Sequence, residues 1–189
     1  MSYRILVADD EPISRMDITE ILGEAGYTVV GEASDGFDAV EMCRKHGPDL
    51  VLMDIKMPLL DGLKAARIIR DEKLAGAVLL LTAYSGKEFV DQAKAVGVAG
   101  YLVKPVSEAS LLPMIEVAVS QAGTISRMEA DMARVTEQLE NRKLIEKAKG
   151  ILMASEKISE DEAFRRIRKL SMDKQRPMKD IAKIIILNG

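Results

Sequence analysis

Five side chains of this sequence could act together on a phosphoryl group. Asp9 and Asp10 follow one short apolar run and Asp54 ends another; Thr82 closes a third, and Lys104 follows a fourth. If those runs are strands of one sheet, their ends deliver three carboxylates, a hydroxyl and an ammonium to a single edge. Clustered carboxylates repel one another unless a cation sits among them, and hard oxygen ligands completed by water suit Mg2+. A carboxylate held by that ion and facing Lys104 is a good phosphoryl acceptor, because metal and lysine neutralise the transferred oxygens. Any one of these aspartates could serve only as a helix cap. Their joint placement is what points to chemistry.

The elements that must position them are legible in the first 123 residues. Apolar or β-branched runs at Arg4–Ala8, Thr28–Ala33, Asp49–Met53, Ala77–Thr82 and Gly100–Val103 alternate with helical patterns. The helices are expected at Pro12–Ala25, Gly36–His46, Gly62–Lys73, Gly86–Val96 and Ser107–Ala122. Leu50-Val51-Leu52-Met53 and Val78-Leu79-Leu80-Leu81 are apolar at consecutive positions, which suits strands buried on both faces of a parallel sheet. Strands alternating with helices predict a doubly wound α/β domain with a five-stranded parallel sheet, and such folds bind ligands outside the carboxyl ends of their strands.

Residues 3–122 resemble the receiver domain of two-component response regulators, a flavodoxin-like fold. The likeness is carried by Asp9-Asp10, Leu52-Met53-Asp54-Ile55-Lys56-Met57-Pro58, Asp61-Gly62, Thr82-Ala83 and Lys104-Pro105. It implies that Asp54 is the phospho-acceptor. It also implies that Asp10, Asp54 and the backbone carbonyl of Lys56 ligate Mg2+, with Asp9 acting mostly through water. Thr82 and Lys104 would meet the phosphoryl group, and Tyr101 holds the family's switch-aromatic position. A cognate sensor histidine kinase is the implied partner, and a cis Lys104–Pro105 peptide is the family's habit.

Composition narrows the alternatives. Hydrophobic residues are 48% and charged residues 30% of 189, which is globular. One Cys (Cys43) excludes an intrachain disulfide or a Cys-based zinc cluster, and one His (His46) leaves little room for a His-dependent triad. A histidine kinase is excluded, since His46 is alone and no nucleotide-binding region is present. The start, Met1–Val7, lacks the apolar run of a signal peptide, and no 18-residue apolar stretch occurs. The expectation is a soluble cytoplasmic protein with no membrane partner. Charge divides the chain: residues 1–123 carry 12 basic and 19 acidic residues, residues 124–189 carry 15 and 11. A change of sign suggests a second module with an anionic partner, although a solvated Lys/Arg surface would look the same.

From Ile125 the pattern changes. Ile125, Met128, Met132, Val135 and Leu139 follow a heptad spacing among polar residues, and the next step falls on Arg142. The seam predicts a parallel coiled-coil dimer, or else one stripe packed on its own receiver. Three parts follow: 1–123 as receiver, 124–141 as coiled-coil linker helix, and 142–189 as a small all-α three-helix domain. In the last part, Ser159-Glu160-Asp161-Glu162 reads as a capping box and Pro177 as the first residue of the final helix. The helix opened by the capping box is expected to bury Ala163, Phe164, Ile167 and Leu170, leaving no aromatic ring free.

Residues 142–189 resemble the ANTAR domain, an RNA-binding module of transcription antiterminators. The likeness rests on Arg142-Lys143-Leu144-Ile145-Glu146-Lys147-Ala148-Lys149-Gly150-Ile151-Leu152-Met153, then Glu162-Ala163-Phe164, Arg168 and Ala182. It implies a response regulator that binds hairpin RNA in nascent transcripts, dimerises on phosphorylation and causes antitermination. The layout is also similar to that of ethanolamine-utilisation antiterminator regulators of Gram-positive bacteria. Arg142, Lys149, Arg165, Arg166, Arg168, Lys169 and Lys179 are the candidate RNA contacts. Gly150 either admits RNA to the backbone or lets two helices cross closely. Duplex DNA is disfavoured as a partner, because no short turn is expected to join two helices in front of a clear recognition helix. The second part also lacks His, Cys and any Gly-rich phosphate loop, so it offers no nucleophile or cofactor site.

Overall fold

The computed structural model describes residues 2–83 and 87–188. The chain divides into two compact units, Met1–Ser126 and Arg127–Gly189. In the first unit β1 (Arg4–Ala8), β2 (Thr28–Ala33), β3 (Leu50–Asp54), β4 (Ala77–Thr82) and β5 (Gly100–Val103) alternate with α1 (Pro12–Glu24), α2 (Gly36–His46), α3 (Gly62–Asp71) and α4 (Lys87–Val96). The expected start of the fourth helix at Gly86 lies outside the described residues. The strands form one parallel sheet in the order β2-β1-β3-β4-β5.

The period of two along each strand sorts the core into two layers. Leu6, Ala8, Val51, Met53 and Leu80 meet Ala39, Val40 and Cys43 of α2, Ala65, Ala66 and Ile69 of α3, and Ala93 and Val96 of α4. Ile5, Val7, Leu50, Leu52, Leu79 and Leu81 meet Ile18 and Leu22 of α1, and Leu111, Ile115 and Ala118 of the following helix. Both faces are therefore covered, as the consecutive apolar runs require. Asp54 is the last residue of β3, as expected.

Caps fix where the helices start beside the sheet edge. Asp35 accepts hydrogen bonds from the backbone N–H groups of Phe37 and Asp38 at 2.8 and 2.9 Å, and Asp61 accepts one from Lys64 at 3.0 Å. Gly62, the first residue of α3, lies so close to β3 that a Cβ built on it would stand 1.9 Å from the Asp54 carbonyl oxygen.

After β5 a single helix, α5, runs from Glu108 to Glu156. The sequence pattern reads as separate stretches, but Gly123 is tolerated in the helix, and the polar residues around the seam suit an exposed helix surface. In the second unit, the end of α5 is followed by α6 (Glu160–Lys174) and α7 (Met178–Asn188). Ala148, Leu152, Ala163, Ile167, Ile181 and Ala182 are its buried core. The capping box forms: Glu162 N–H donates to Ser159 Oγ at 3.3 Å, and Ser159 N–H donates to the Glu162 carboxylate at 2.9 Å.

Three expectations for this unit are corrected. Pro177 precedes α7 rather than opening it, and its carbonyl accepts from Asp180 N–H at 2.9 Å. Short turns do join the helices, at 157–159 and 175–177, because Lys157 and Gln175 adopt left-handed φ values of 57° and 50° usually left to glycine. Phe164 is 41% exposed rather than buried. Successive helix residues turn by about 100°, so it sits to the side of the Ala163–Ile167 stripe.

Among the described residues no helix is long and apolar enough to cross a membrane. Two outcomes are expected from this packing. Gly62→Ala should cost about 1–3 kcal/mol in urea unfolding, since overpacking against backbone has no flexible side chain to absorb it. Burial pushes the Cys43 thiol up to about 12, so at pH 8 a thiol reagent should label it only after denaturant is added.

Candidate functional site

The strand order explains how distant residues meet. β1, β3, β4 and β5 are consecutive neighbours, so the residues at their carboxyl ends share one edge. Asp9 and Asp10 follow β1, Asp54 ends β3, Thr82 ends β4 and Lys104 follows β5. Carboxylate oxygens of Asp9, Asp10 and Asp54 all lie within 4.8 Å of one another. Asp9 is fully buried, Asp54 is 7% exposed and Asp10 is exposed.

Lys104 bridges this group. Its Nζ lies 2.6 Å from Asp9 Oδ2 and 2.6 Å from Asp54 Oδ2. Its backbone N–H donates to the Thr82 carbonyl at 2.8 Å, tying the ends of β4 and β5, and the Lys104–Pro105 peptide is cis. Burial pushes the Asp54 carboxyl above its ordinary range; Lys104 pulls against that, and the Asp9 charge adds to it. Burial works to lower the Lys104 pKa, but its pairs with Asp54 and Asp9 outweigh it and hold the ammonium above its usual value. Lys56 N–H donates to Asp54 Oδ1 at 3.3 Å. Thr82 is 1% exposed, and Tyr101, opposite Leu80 in the β4–β5 register, is 37% exposed.

Sequence reasoning missed two contributors on α1. Ser14 Oγ donates to Asp9 Oδ2 at 2.7 Å, and Arg15 Nη1 donates to the Asp9 carbonyl at 2.6 Å while its Nε reaches Glu32 at 3.3 Å. The only signal available was their place in the first turn after Asp9-Asp10. Three carboxylates this close offer hard oxygen donors of the kind that suits Mg2+.

The heptad residues Ile125, Met128, Met132, Val135 and Leu139 are 51 to 71% exposed.

The candidate RNA contacts separate into two sets. Arg142, Arg165, Arg168 and Lys169 are exposed. Arg166 pairs with Glu156 at 2.7 Å and Lys179 with Glu137 at 2.6 Å. Lys149 departs furthest from expectation. It is only 7% exposed, with Nζ 2.8 Å from Glu146 and 2.6 Å from Glu160, and hydrogen bonds to those acids raise its pKa. Its position beside the core turns it across to the start of α6, so it braces two helices. Gly150 is exposed, and a Cβ there would meet nothing within 4 Å, so no close helix crossing occupies it in this chain.

A parallel 2-1-3-4-5 sheet whose edge gathers three aspartates, a threonine and a lysine defines a response-regulator receiver domain. The chain belongs to that family: residues 5–116 match the response regulator receiver domain, and residues 133–186 match the ANTAR domain. It is 44% identical over 183 residues to the transcriptional regulatory protein PdtaR of Mycobacterium tuberculosis, covering 97% of this chain and 89% of that protein. The chemotaxis protein CheY of Bacillus subtilis is 37% identical over 115 residues, 61% of this chain and 96% of that one. Among solved structures, the receiver domain of the putative response regulator NarL from M. tuberculosis aligns with TM-score 0.58 and 33% identity over 65% of this chain and 97% of that one. The protein is thus a phospho-accepting regulator, not a catalytic enzyme, and its output domain is of the RNA-binding antiterminator class.

Lys149→Met should lower the melting temperature, because Glu146 and Glu160 lose their shared partner. The salt dependence of RNA binding should stay as in wild type. An unchanged melting temperature with a salt slope shallower by about 1 would make Lys149 a phosphate contact instead.

Proposed function

We propose that phosphorylation of Asp54 drives dimerisation through the Ile125–Leu139 seam, and that the dimer binds hairpin RNA in nascent transcripts to cause antitermination. The observation that carries this reading is the single ammonium of Lys104 shared between Asp9 and Asp54 at 2.6 Å each, in a chain that also carries an ANTAR domain. The donor is a phosphohistidine on a cognate sensor kinase. An Asp54 carboxylate oxygen attacks phosphorus, an O–P bond forms, and the P–N bond to the donor breaks. Asp10, Asp54 and the Lys56 carbonyl, with Asp9 through water, would hold Mg2+. When bound, that ion neutralises charge on the transferred oxygens.

The new group carries roughly −1.5 to −2 charges, by analogy with other phosphorylated side chains. Lys104 then exchanges a carboxylate for a phosphoryl oxygen, and Thr82 turns its hydroxyl to another. Tyr101, half exposed on β5, moves inward as Thr82 moves. A full 1:99 to 99:1 shift needs about 5.5 kcal/mol of differential stabilisation. Charge-assisted hydrogen bonds supply part, and burying five exposed seam side chains in a dimer supplies more.

The module boundaries we favour are 1–123, 124–141 and 142–189. Exposed Arg142, Arg165, Arg168 and Lys169 are the cations we assign to phosphate, with Arg166 and Lys179 available once they leave their acidic partners. We place the protein in the cytoplasm, where nascent transcripts are. Full-length likeness to a mycobacterial regulator supports the antiterminator reading without singling out ethanolamine utilisation as the pathway.

The test is binding of a two-hairpin RNA and of duplex DNA by wild type and Asp54→Ala, with and without a small phosphodonor and Mg2+. Wild type should bind the RNA at least tenfold more tightly after phosphorylation, and Asp54→Ala should show no gain. Equal gains in both proteins would remove phosphorylation gating, and preferential binding of DNA would overturn the RNA assignment.

A further inference from the structure

Phe164 is the only aromatic residue between Arg127 and Gly189, and it stands on the surface at 41% exposure. Arg168 and Met172 follow it at intervals of four along α6, Met172 being 69% exposed. Side chains four apart are neighbours on a helix surface, so the three form one stripe. Arg165 and Lys169, both exposed, flank that stripe on the side away from the Ala163–Ile167 core face. From Ala163 to Met172 the helix carries no acidic residue.

A flat ring edged by cations fits an unpaired nucleic-acid base: the ring offers a stacking surface and an adjacent guanidinium takes the phosphate. A second copy of the chain fits less well. A two-fold contact through this stripe would set Arg165, Arg168 and Lys169 against themselves. We propose that Phe164 is the stacking platform for an unpaired base of the RNA loop, with Arg168 holding the neighbouring phosphate. α6 is then the helix that distinguishes a looped hairpin from a plain stem. This rests on the RNA-binding reading above.

The chain has no tryptophan, so Phe164→Trp introduces a single reporter. Full-length phosphorylated protein is titrated with a two-hairpin RNA and with a loopless duplex of the same stem. The reporter's emission should be quenched by the hairpin RNA and not by the duplex. Phe164→Leu, which keeps apolar bulk, should bind the hairpin roughly 5- to 100-fold more weakly with an unchanged salt slope. Arg168→Gln should instead make that slope shallower by about 1. If wild type binds hairpin RNA and Phe164→Leu binds it equally well, or saturating RNA leaves the reporter's emission unchanged, the platform is wrong. If Phe164→Leu loses dimer mass in light scattering, the stripe is a protein contact. If wild type binds no hairpin RNA at all, the RNA-binding reading falls and takes this proposal with it.

Discussion

One ammonium holds the receiver's working edge together. The sheet order brings carboxylates at the ends of β1 and β3 within 4.8 Å of one another, and Asp9 is wholly buried. Burying charge without a partner is prohibitive, so the edge needs a cation. Lys104 supplies it from the end of β5, at 2.6 Å from both Asp9 and Asp54. Its backbone N–H is tied to the Thr82 carbonyl at 2.8 Å, which links the residues bearing the cation and the hydroxyl at the ends of the last two strands. In the proposed switch, a change of charge at Asp54 would therefore reach the ends of β4 and β5, and not only one side chain.

The second unit uses the same device for another end. Lys149 lies between Glu146 on its own helix and Glu160 at the start of α6, and is nearly as covered as the receiver's core. The acids Glu160, Asp161 and Glu162 also favour the positive end of the α6 dipole. That concentration of acid at one end leaves the rest of α6 basic, with Arg165, Arg168 and Lys169 exposed. Structure and the proposed recognition thus draw on different lysines and arginines of one sequence.

Much of this was legible beforehand. Leu50–Met53 and Val78–Leu81 declared strands buried on both faces, and Asp9-Asp10, Asp54, Thr82 and Lys104 marked the ends of those strands. The capping box at Ser159 announced the start of α6. What escaped was set by tertiary geometry. Ser14 and Arg15 look like ordinary first-turn residues until α1 is docked beside Asp9. Lys149 reads as a surface cation because the acid that anchors it, Glu160, lies beyond a turn. The capping box announced that turn but not its backbone, since Lys157 takes a left-handed conformation without glycine to signal it. Phe164 was misread because apolarity alone does not tell the centre of a buried stripe from its margin.

The most direct test of the account is light scattering of phosphorylated wild type and phosphorylated Lys104→Ala at matched phosphoryl content. Wild type should shift from monomer to dimer mass on phosphorylation, while Lys104→Ala, carrying the same group on Asp54, should remain monomeric. A phosphorylated Lys104→Ala protein that dimerises as tightly as wild type would contradict the claim that this ammonium transmits the charge at Asp54 to the rest of the molecule.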